Sequence, residues 1–573
     1  MKISDYVVKY LQLQGITEVF EMSGGMITHL LDSCYRHNMK VVSVHHEQTA
    51  AFAADAVGRM TGKPGVAMAT SGPGATNLLT GMASCFFDSS PAIFITGQVN
   101  RHEQKGARPV RQLGFQETDI VAMARPITKA VWSVSDPEQL PEILAAAYQM
   151  AISGRPGPVL LDIPMDVQRL DIPHEPGLLP PMESSPAEDT TNFLQSVWTA
   201  LQQAKRPLLL AGGGIRSAGA IAAFRSLVHT LGIPVVHSLM GTDLLAYDDP
   251  RRVGMIGSYG NRWANLALGR ADVLLVLGSR MDVRQTGADT NSFSENKRIF
   301  HVDCDAGELN NRVTGCTAYV ANLNTFLPLA VQYGARQIRC VCAAWAHELN
   351  ELKIAWSDTK ELPDIKGINP NEFMHRLAAQ SASATAYVVD VGQHQMWAAQ
   401  SLELTERQRF LTSGGMGAMG FALPAAIGAA IASSGDPIVV IAGDGGFQTN
   451  IQELQTVMRN KLPLKIVVIN NLCHGMVRQF QQSYFHERYQ STLWGYSAPD
   501  FARVATAYGM EALTVGDTGE LDNAIKWLWR DPLAPNLLQV MIDTNTNVYP
   551  KMAFGRPITE MEPFVKSIEM EGT

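Results

Sequence analysis

Asp444 and Asn471 are the two side chains whose types and spacing point most clearly to chemistry. Asp444 stands in the turn 443–446 after the apolar run 437–442, and Asn471 follows the apolar run 464–469. The 27 positions from 444 to 471 accommodate a helix between two strands, so both oxygens are expected at carboxyl ends of strands, where α/β sheets bind ligands. Mg²⁺ commonly takes one or two protein oxygens together with substrate phosphates. The pair predicts a clamp for a metal-bound diphosphate, although Gly-Asp-Gly alone also fits an ordinary turn.

The elements that would position these side chains are apolar strands alternating with helical patterns. Proline-rich polar stretches at 168–190 and 357–370 predict linkers, which divide the chain into three blocks. Apolar runs without alternation predict parallel strands covered on both faces. The fold class is therefore α/β, with three doubly wound parallel-sheet domains. Strands are predicted at 65–70, 91–96, 158–163, 207–210, 271–278, 298–303, 386–391, 437–442, 464–469 and 536–542.

Composition narrows the classes of partner. The 573 residues carry a net charge of −8 without a basic run, which argues against nucleic acid or an anionic membrane surface. Only 17% of residues are charged against 46% apolar, so much surface is expected to be hidden between domains or subunits. Neither a secretory signal nor a membrane-spanning run is visible. A cytoplasmic oligomer that acts on small molecules is the expectation.

Cysteine usage supports the same compartment. The seven cysteines are scattered, and an odd number predicts reduced thiols rather than a disulfide framework. Cys340 and Cys342 are the only close pair, and without histidines or a second pair their spacing favours packing over a metal site.

Three further segments contain candidate functional residues. Glu47 opens an alanine-rich helix after an apolar strand, where it suits either the helix dipole or acid–base chemistry. The glycine-rich turn 71–77 precedes a helix, and its backbone amides suit an anion, although a simple tight turn is the alternative. Met419 stands in the glycine-rich turn 413–420, where methionine is usually a packing residue.

Together these motifs resemble the acetolactate synthase family of thiamine diphosphate (ThDP) enzymes. The likeness runs through nearly the whole chain, with motifs in the same order and spacing. The segments that carry it in the outer blocks are 45–51, 71–77, 81–99, 114–119, 125–129, 391–397, 413–420, 443–446, 470–471, 476–481, 548–550 and 558–561. In the middle block they are 211–215, 278–280, 284–287 and 303–306 with Glu308. The resemblance implies a pyrimidine-binding domain at 1–167, a central FAD-binding-like domain at 191–345, a diphosphate- and Mg²⁺-binding domain at 370–547 and a tail at 548–573.

The resemblance also implies roles for individual residues. Glu47 would hydrogen-bond the cofactor's aminopyrimidine ring, and Met419 would hold the cofactor folded so that its amino group meets its reactive carbon. The implied metal ligands are Asp444, Asn471 and the backbone carbonyl of Cys473. The other implied ThDP contacts are Ser71, Gly72, Pro73, Asn77, Gly392, Gln393, His394, Gly417, Gly443, Gly445, Gly446 and Met476, and the implied FAD contacts are Gly212, Gly213, Gly214, Arg280, Arg284, Asp303 and Asp305.

Substrate contacts follow from the same resemblance. Phe115, Gln116 and Lys129 would border the substrate channel, although Lys129 also suits an ordinary surface charge. Arg284 would face the acceptor's carboxylate, for which a guanidinium fork is well shaped. Phe480 stands where the family has tryptophan beside the acceptor, so the identity of the acceptor is open.

The implied function is that of a ThDP- and Mg²⁺-dependent carboligase. It would decarboxylate a 2-keto acid, with pyruvate as the expected donor, and transfer the acetyl equivalent to a second carbonyl. Departures at Ser23, Tyr259 and Phe480 keep open an alternative acceptor such as a nucleotide-activated keto sugar. A flavin-dependent pyruvate oxidase reaction is a second alternative. A non-catalytic paralogue is a further alternative. A homodimer or homotetramer with active sites at the subunit interface is implied, with room for a separate regulatory subunit.

Overall fold

The protein is described by a computed structural model that covers residues 1–178, 190–337, 342–362 and 364–568. Within these ranges the chain forms three six-stranded sheets in which every paired strand is parallel, with helices between the strands. The predicted α/β class with three doubly wound domains is confirmed. All ten predicted strands are present, and their ends differ from the predicted ones by at most a few residues.

The first sheet has the strand order β2-β1-β3-β4-β6-β5. Its strands β3, β4 and β6 are buried along their whole length, which explains their unbroken apolar sequences. The strands are β1 (Glu18–Met22), β2 (Lys40–Ser43), β3 (Gly65–Ala69), β4 (Ala92–Gln98), β5 (Ala130–Ser133) and β6 (Pro158–Pro164). The helices are α1 (Ile3–Leu13), α2 (Thr28–Arg36), α3 (Glu47–Thr61), α4 (Pro73–Asn77), α5 (Leu79–Asp88), α6 (Ile120–Ala124), α7 (Leu140–Ile152) and α8 (Met165–Gln168).

The middle sheet has the order β12-β11-β10-β7-β8-β9, so successive strands are added on one side of β7 and then, from β10 onwards, on the other. Such a switch point opens a ligand crevice at the carboxyl ends of the strands. The strands are β7 (Pro207–Ala211), β8 (Val235–His237), β9 (Arg252–Met255), β10 (Val273–Leu277), β11 (Arg298–Asp303) and β12 (Thr317–Val320). The helices are α9 (Thr191–Gln203), α10 (Gly214–Ser217), α11 (Ile221–Leu231), α12 (Arg262–Arg270), α13 (Val283–Thr286), α14 (Thr290–Ser294), α15 (Leu323–Gly334) and α16 (Ala343–Ala355).

The third sheet repeats the strand order of the first, as β14-β13-β15-β16-β18-β17. The two outer domains therefore share one architecture, with a switch point between β13 and β15. The strands are β13 (Ala386–Val389), β14 (Arg409–Thr412), β15 (Ile438–Gly443), β16 (Leu464–Asn470), β17 (Glu511–Val515) and β18 (Asn536–Met541), and β19 (Lys551–Met552) pairs antiparallel with β20 (Met561–Glu562). The helices are α17 (Pro370–Gln380), α18 (Gln393–Ser401), α19 (Ala422–Ala432), α20 (Asp444–Thr449), α21 (Leu454–Asn460), α22 (Gly475–Tyr484), α23 (Phe501–Ala507) and α24 (Leu521–Leu528).

Short 3₁₀ helices complete the connections. They span Gly25–Ile27, Arg101–Glu103, Arg125–Ile127, Pro137–Gln139, Leu239–Gly241, Ala306–Glu308, Asp358–Lys360, Ile451–Glu453 and Thr518–Glu520.

The first and third domains pack directly against each other through α3 and α19. The alanine-rich sequences of both helices allow a close approach, and a side chain at Gly428 would collide with the backbone of Ala53. The Phe52 and Phe421 rings meet edge to face with centroids 5.4 Å apart. A single apolar core therefore runs from the first sheet into the third.

The structure describes the second predicted linker more fully than the first. Part of 168–190 lies outside the described residues, as does Cys340 of the cysteine pair. Two acidic residues of the stretch 357–370 are buried: Asp358 bonds His375 on α17 at 2.8 Å, and Glu361 forms a buried ion pair with Arg262 on α12 at 2.7 Å. This stretch ties the middle domain to the third.

Candidate active site

Asp444 and Asn471 lie at neighbouring strand ends, as their spacing indicates. Strands β15 and β16 are hydrogen-bonded partners, with Gly443 opposite Ile469. Asp444 is the first residue of α20 after β15, and Asn471 directly follows β16.

The Asp444 carboxylate has one oxygen available for a ligand. The residue is only 3% exposed, and its Oδ1 accepts a 3.0 Å hydrogen bond from the Gly445 amide. Oδ2 is buried without a hydrogen-bond partner among the described residues, and the Tyr496 hydroxyl, likewise without a partner, lies close enough to interact with the carboxylate. Burial raises the pKa of Asp444 to about 6. A bound cation would offset this cost, because it favours the ionised form.

The backbone between Asn471 and Cys473 turns sharply. Leu472 has a φ of +55°, a left-handed conformation that is uncommon for a residue with a side chain. Asn471 is buried, and its Oδ1 accepts a 3.3 Å bond from the Cys473 amide, while its Nδ2 donates to Gln393 Oε1 at 3.0 Å. Strained backbone of this kind is found at ligand-binding positions. The Cys473 thiol is a separate matter: it is buried and donates to the Thr544 carbonyl.

Glycines line a depression beside Asp444 and Asn471. A Cβ at Gly443 would lie 2.8 Å from His394 Nδ1, and one at Gly445 would lie 2.6 Å from His474 Cε1 and 3.3 Å from Met419 Cε. His394 is buried with Nε2 unpartnered within the described structure, and burial lowers the pKa of the ring to about 3. A neutral imidazole is therefore available there as a hydrogen-bonding group.

The turn that carries Met419 is fixed by Asp390, a residue that the sequence did not single out. Asp390 follows β13, and its carboxylate accepts the backbone amides of Val391, Gly420 and Ala422 at 2.8–3.0 Å. Burial raises the pKa of Asp390 to about 6, against the opposing effect of these amide donors. Met419 is 40% exposed, and its methyl group points towards Gly445. Gly417, in the same turn, has a φ of +67°.

Glu47 lies at the corresponding edge of the first sheet. It is the first residue of α3, it is buried, and its Oε2 accepts a 2.9 Å bond from Asn77 Nδ2. A Cβ at Gly74 would lie 3.3 Å from Oε1, so this oxygen is approached by backbone rather than by a side chain. Ser71 Oγ, in the turn before Pro73, is buried without a partner in the described residues.

The three residues predicted to border the substrate channel, Phe115, Gln116 and Lys129, do not lie together in the structure. Gln116 joins the Glu47 region, because it has a φ of +64° and its side chain contacts Gly72, whose own φ is +63°. Phe115 is 79% exposed. Lys129 precedes β5 and therefore lies at the amino edge of the sheet, opposite Glu47, where Nζ donates to the Ser153 carbonyl at 2.7 Å. Burial lowers the pKa of Lys129 to about 8.

A cavity of about 460 Å³ opens at the switch point of the middle sheet. Five of the seven residues predicted to contact FAD line it, namely Gly213, Gly214, Arg280, Arg284 and Asp303. Gly212 packs against the Gly278 backbone instead, and Asp305 pairs with Arg155 at 3.2 Å. The cavity is also lined by Gly414 and Gly415 of the third domain, so it reaches the turn that carries Met419.

A second carboxylate that the sequence did not single out joins two walls of the cavity. Asp88, at the end of α5, accepts the Gly414 and Gly415 amides at 3.1 and 2.6 Å. It also pairs with Arg59 at 2.9 Å. Neither Asp88 nor Asp390 has a spacing signal in the sequence, because the amides of the 413–422 segment that they bind are remote along the chain.

Helix α22 carries Phe480, the residue that is predicted to lie beside the acceptor substrate. Phe480 is 39% exposed, and its ring packs on Tyr484 with centroids 4.8 Å apart. Met476 lies in the first turn of the same helix and packs against the core of the third domain.

Comparison with protein families defines the class. Residues 1–123 match the N-terminal TPP binding domain of thiamine pyrophosphate enzymes, residues 194–329 match their central domain, and residues 390–534 match their C-terminal TPP binding domain. The fold and these matches define a thiamine pyrophosphate enzyme.

Curated relatives narrow the class to a family. The chain is 37% identical over 565 residues to the acetolactate synthase isozyme 2 large subunit of Escherichia coli, covering 98% of this chain and 99% of that one. It is 37% identical to the acetolactate synthase large subunit of Parasynechococcus marenigrum (96% and 89% covered) and 34% identical to that of Lactococcus lactis (97% and 95% covered). The chain belongs to the acetolactate synthase large-subunit family. Among the described helices, none combines the length and apolarity needed to cross a membrane.

Proposed function

We propose that this protein decarboxylates pyruvate and joins the resulting acetyl unit to the carbonyl of a second 2-keto acid. The family relationship supports a ThDP-dependent carboligase, and the relatives' names favour neither the keto-sugar nor the oxidase alternative. The observation that carries the proposal is the unpartnered, buried Asp444 Oδ2 beside Asn471, within the glycine-lined depression. ThDP, when bound, supplies the centre that stabilises negative charge on the donor carbon.

Asp444 and Asn471 would hold Mg²⁺, with the Cys473 carbonyl as a third ligand. Two hard side-chain oxygens and a carbonyl leave positions for phosphate oxygens, the arrangement that Mg²⁺ favours. The neutral His394 ring and the backbone amides near Gly443 and Gly445 would bind the diphosphate oxygens, and the absence of side chains at the two glycines would leave room for them.

Glu47 would hold and move the proton that starts the reaction. One of its oxygens is fixed by Asn77, which leaves Oε1 free to share a proton with a ring nitrogen. Gln116 and the backbone of 71–73 would shape the same pocket, and Met419 would exclude water from it.

FAD is the ligand that we propose for the middle cavity. The order of the middle sheet is the one associated with dinucleotide binding, and the glycines after β7 allow a close approach. The lining contains Arg155, Arg280 and Arg284, whose guanidinium groups suit a diphosphate.

A homodimer would complete each site. Phe115 and Met419 are exposed apolar side chains beside the proposed site, which favours a second chain covering them. A regulatory subunit and a cytoplasmic location fit the family and the free thiols of the described cysteines.

The function is tested by supplying pyruvate alone to protein loaded with ThDP, Mg²⁺ and FAD. Acetolactate is the expected product. Pyruvate consumption that yields acetate and peroxide would identify an oxidase, and turnover only after a keto sugar is added would identify the other acceptor class.

A further inference from the structure

A chain of side-chain amides connects helix α22 to the proposed metal ligand Asn471. It consists of Gln479 on α22, Gln393 at the start of α18 and Asn471 itself. Gln479 and Gln393 are 1% and 3% exposed, so water does not substitute for their partners. The proposed catalytic steps leave Gln479 without a role.

The orientation of the Gln479 amide is fixed by backbone. Its Nε2 donates to the Val548 carbonyl at 2.9 Å, and its Oε1 accepts from the Val548 amide at 2.9 Å. A flipped amide would face a carbonyl with an oxygen and an N–H with an NH₂ group, so a single orientation satisfies both contacts.

The Gln479 oxygen and the Thr546 carbonyl together determine the orientation of the Gln393 amide. Gln479 Oε1 also accepts from Gln393 Nε2 at 3.3 Å, and Gln393 Nε2 donates its other hydrogen to the Thr546 carbonyl at 3.0 Å. Gln393 must therefore present Oε1 to its remaining neighbour. That neighbour is Asn471 Nδ2, at 3.0 Å. Asn471 is left with Oδ1 directed away from the network.

We propose that Gln479 is a positioning residue, which through Gln393 holds the Asn471 amide with its oxygen presented to a divalent cation. The inference rests on the proposed metal site. Residues that orient metal ligands typically contribute 10–100-fold to metal affinity. Because Gln479 directly precedes Phe480, the same network also connects the metal site to the acceptor side of α22.

Two substitutions at this position separate orientation from packing. Gln479→Met removes one of the two acceptors of Gln393 Nε2 and leaves the Thr546 carbonyl as the other, so the preference of the Gln393 amide for the orientation that bonds Asn471 Nδ2 is weakened. Gln479→Glu keeps an acceptor for Gln393 and loses the donor to the Val548 carbonyl. Gln481→Met is the matched control on the same helix, because its amide bonds Gln490 and Thr492 outside the network.

The experiment is a titration of Mn²⁺ into metal-free full-length protein in excess ThDP, with free Mn²⁺ followed by electron paramagnetic resonance. We expect Gln479→Met to weaken Mn²⁺ binding at least about tenfold, and excess metal to restore its turnover. The Mn²⁺ affinities of Gln479→Glu and Gln481→Met are expected to stay within about threefold of the wild-type value. Unchanged affinity in Gln479→Met, or equal losses in the Met and Glu variants, would overturn the assignment. Gln479→Leu makes the same deletion if the Met variant does not fold. Failure of the wild-type protein to bind Mn²⁺ would instead contradict the metal site itself.

Discussion

At the scale of single residues, three of the buried polar atoms that lack a partner in the described structure lie in the proposed site. Asp444 Oδ2, His394 Nε2 and Ser71 Oγ are all in this state within the described structure. A buried polar group left unbonded costs about 1–3 kcal/mol, and a bound cofactor would offset that cost at these three positions. Ser71 lies at the carboxyl edge of the first sheet, and Asp444 and His394 lie at the carboxyl edge of the third.

Glu47 gives the sharpest residue-scale prediction. Glu47→Gln keeps the shape of the side chain and an acceptor for Asn77, but it removes the group that exchanges a proton. We expect ThDP to bind nearly as in wild type and pyruvate decarboxylation to fall by about 10²–10⁴-fold. Cofactor titration followed by protein fluorescence measures the binding, and carbon dioxide release measures the reaction. Wild-type decarboxylation in this variant would remove Glu47 from the mechanism.

At the scale of elements, the predictable and unpredictable parts of the site have different physical origins. The strands and the ends that carry Asp444 and Asn471 could be predicted because unbroken apolar runs and chain order determine parallel sheets. The roles of Asp390 and Asp88 could not, since each binds backbone amides that are brought to it only by folding.

The stretch 357–370 shows a second limit of the sequence. Its composition predicts a linker, yet Asp358 and Glu361 are buried. Their partners His375 and Arg262 lie on helices of two different domains. Composition alone cannot distinguish a polar residue in water from one that is paired with a remote charge.

The pair of Asp358 and His375 predicts a pH-dependent contribution to stability. Hydrogen bonds and attraction from Asp358 raise the pKa of His375, despite the opposing effect of burial, and the same pair lowers the pKa of Asp358. A raised histidine pKa stabilises the fold fully below the unfolded value of about 6.5, and the contribution is lost as pH rises through the folded value. The lowered pKa of Asp358 keeps its carboxylate ionised until pH falls through that folded value.

His375→Gln should therefore lower the thermal midpoint more at pH 6 than at pH 9, with about 1 kcal/mol lost at the lower pH. His347→Gln is the control, since His347 is an exposed histidine with a surface partner. Calorimetry at the two pH values measures the effect. An equal loss at both would show that the charged form of His375 does not stabilise the protein.

At the scale of the whole molecule, the domains interlock within one chain. Helix α3 packs on α19, and Asn450 Nδ2 bonds both Gln48 Oε1 and the Gly420 carbonyl, at 3.1 and 2.8 Å. The chain segment next to Glu47 is thus joined to the segment next to Met419. If a dimer builds each active site from Glu47 of one chain and Met419 of the other, these contacts within each chain would join the two sites.

Mixing two inactive variants tests most directly whether Glu47 and the Asp444–Asn471 clamp act on one cofactor shared between chains. Glu47→Gln and Asp444→Ala proteins are each expected to be inactive, and after dissociation and reassembly together they should regain about a quarter of wild-type acetolactate formation, the yield of one intact site in half of the dimers. Each variant reassembled alone is the control. A mixture that stays inactive, although mass spectrometry shows mixed dimers, would contradict a site built from two chains.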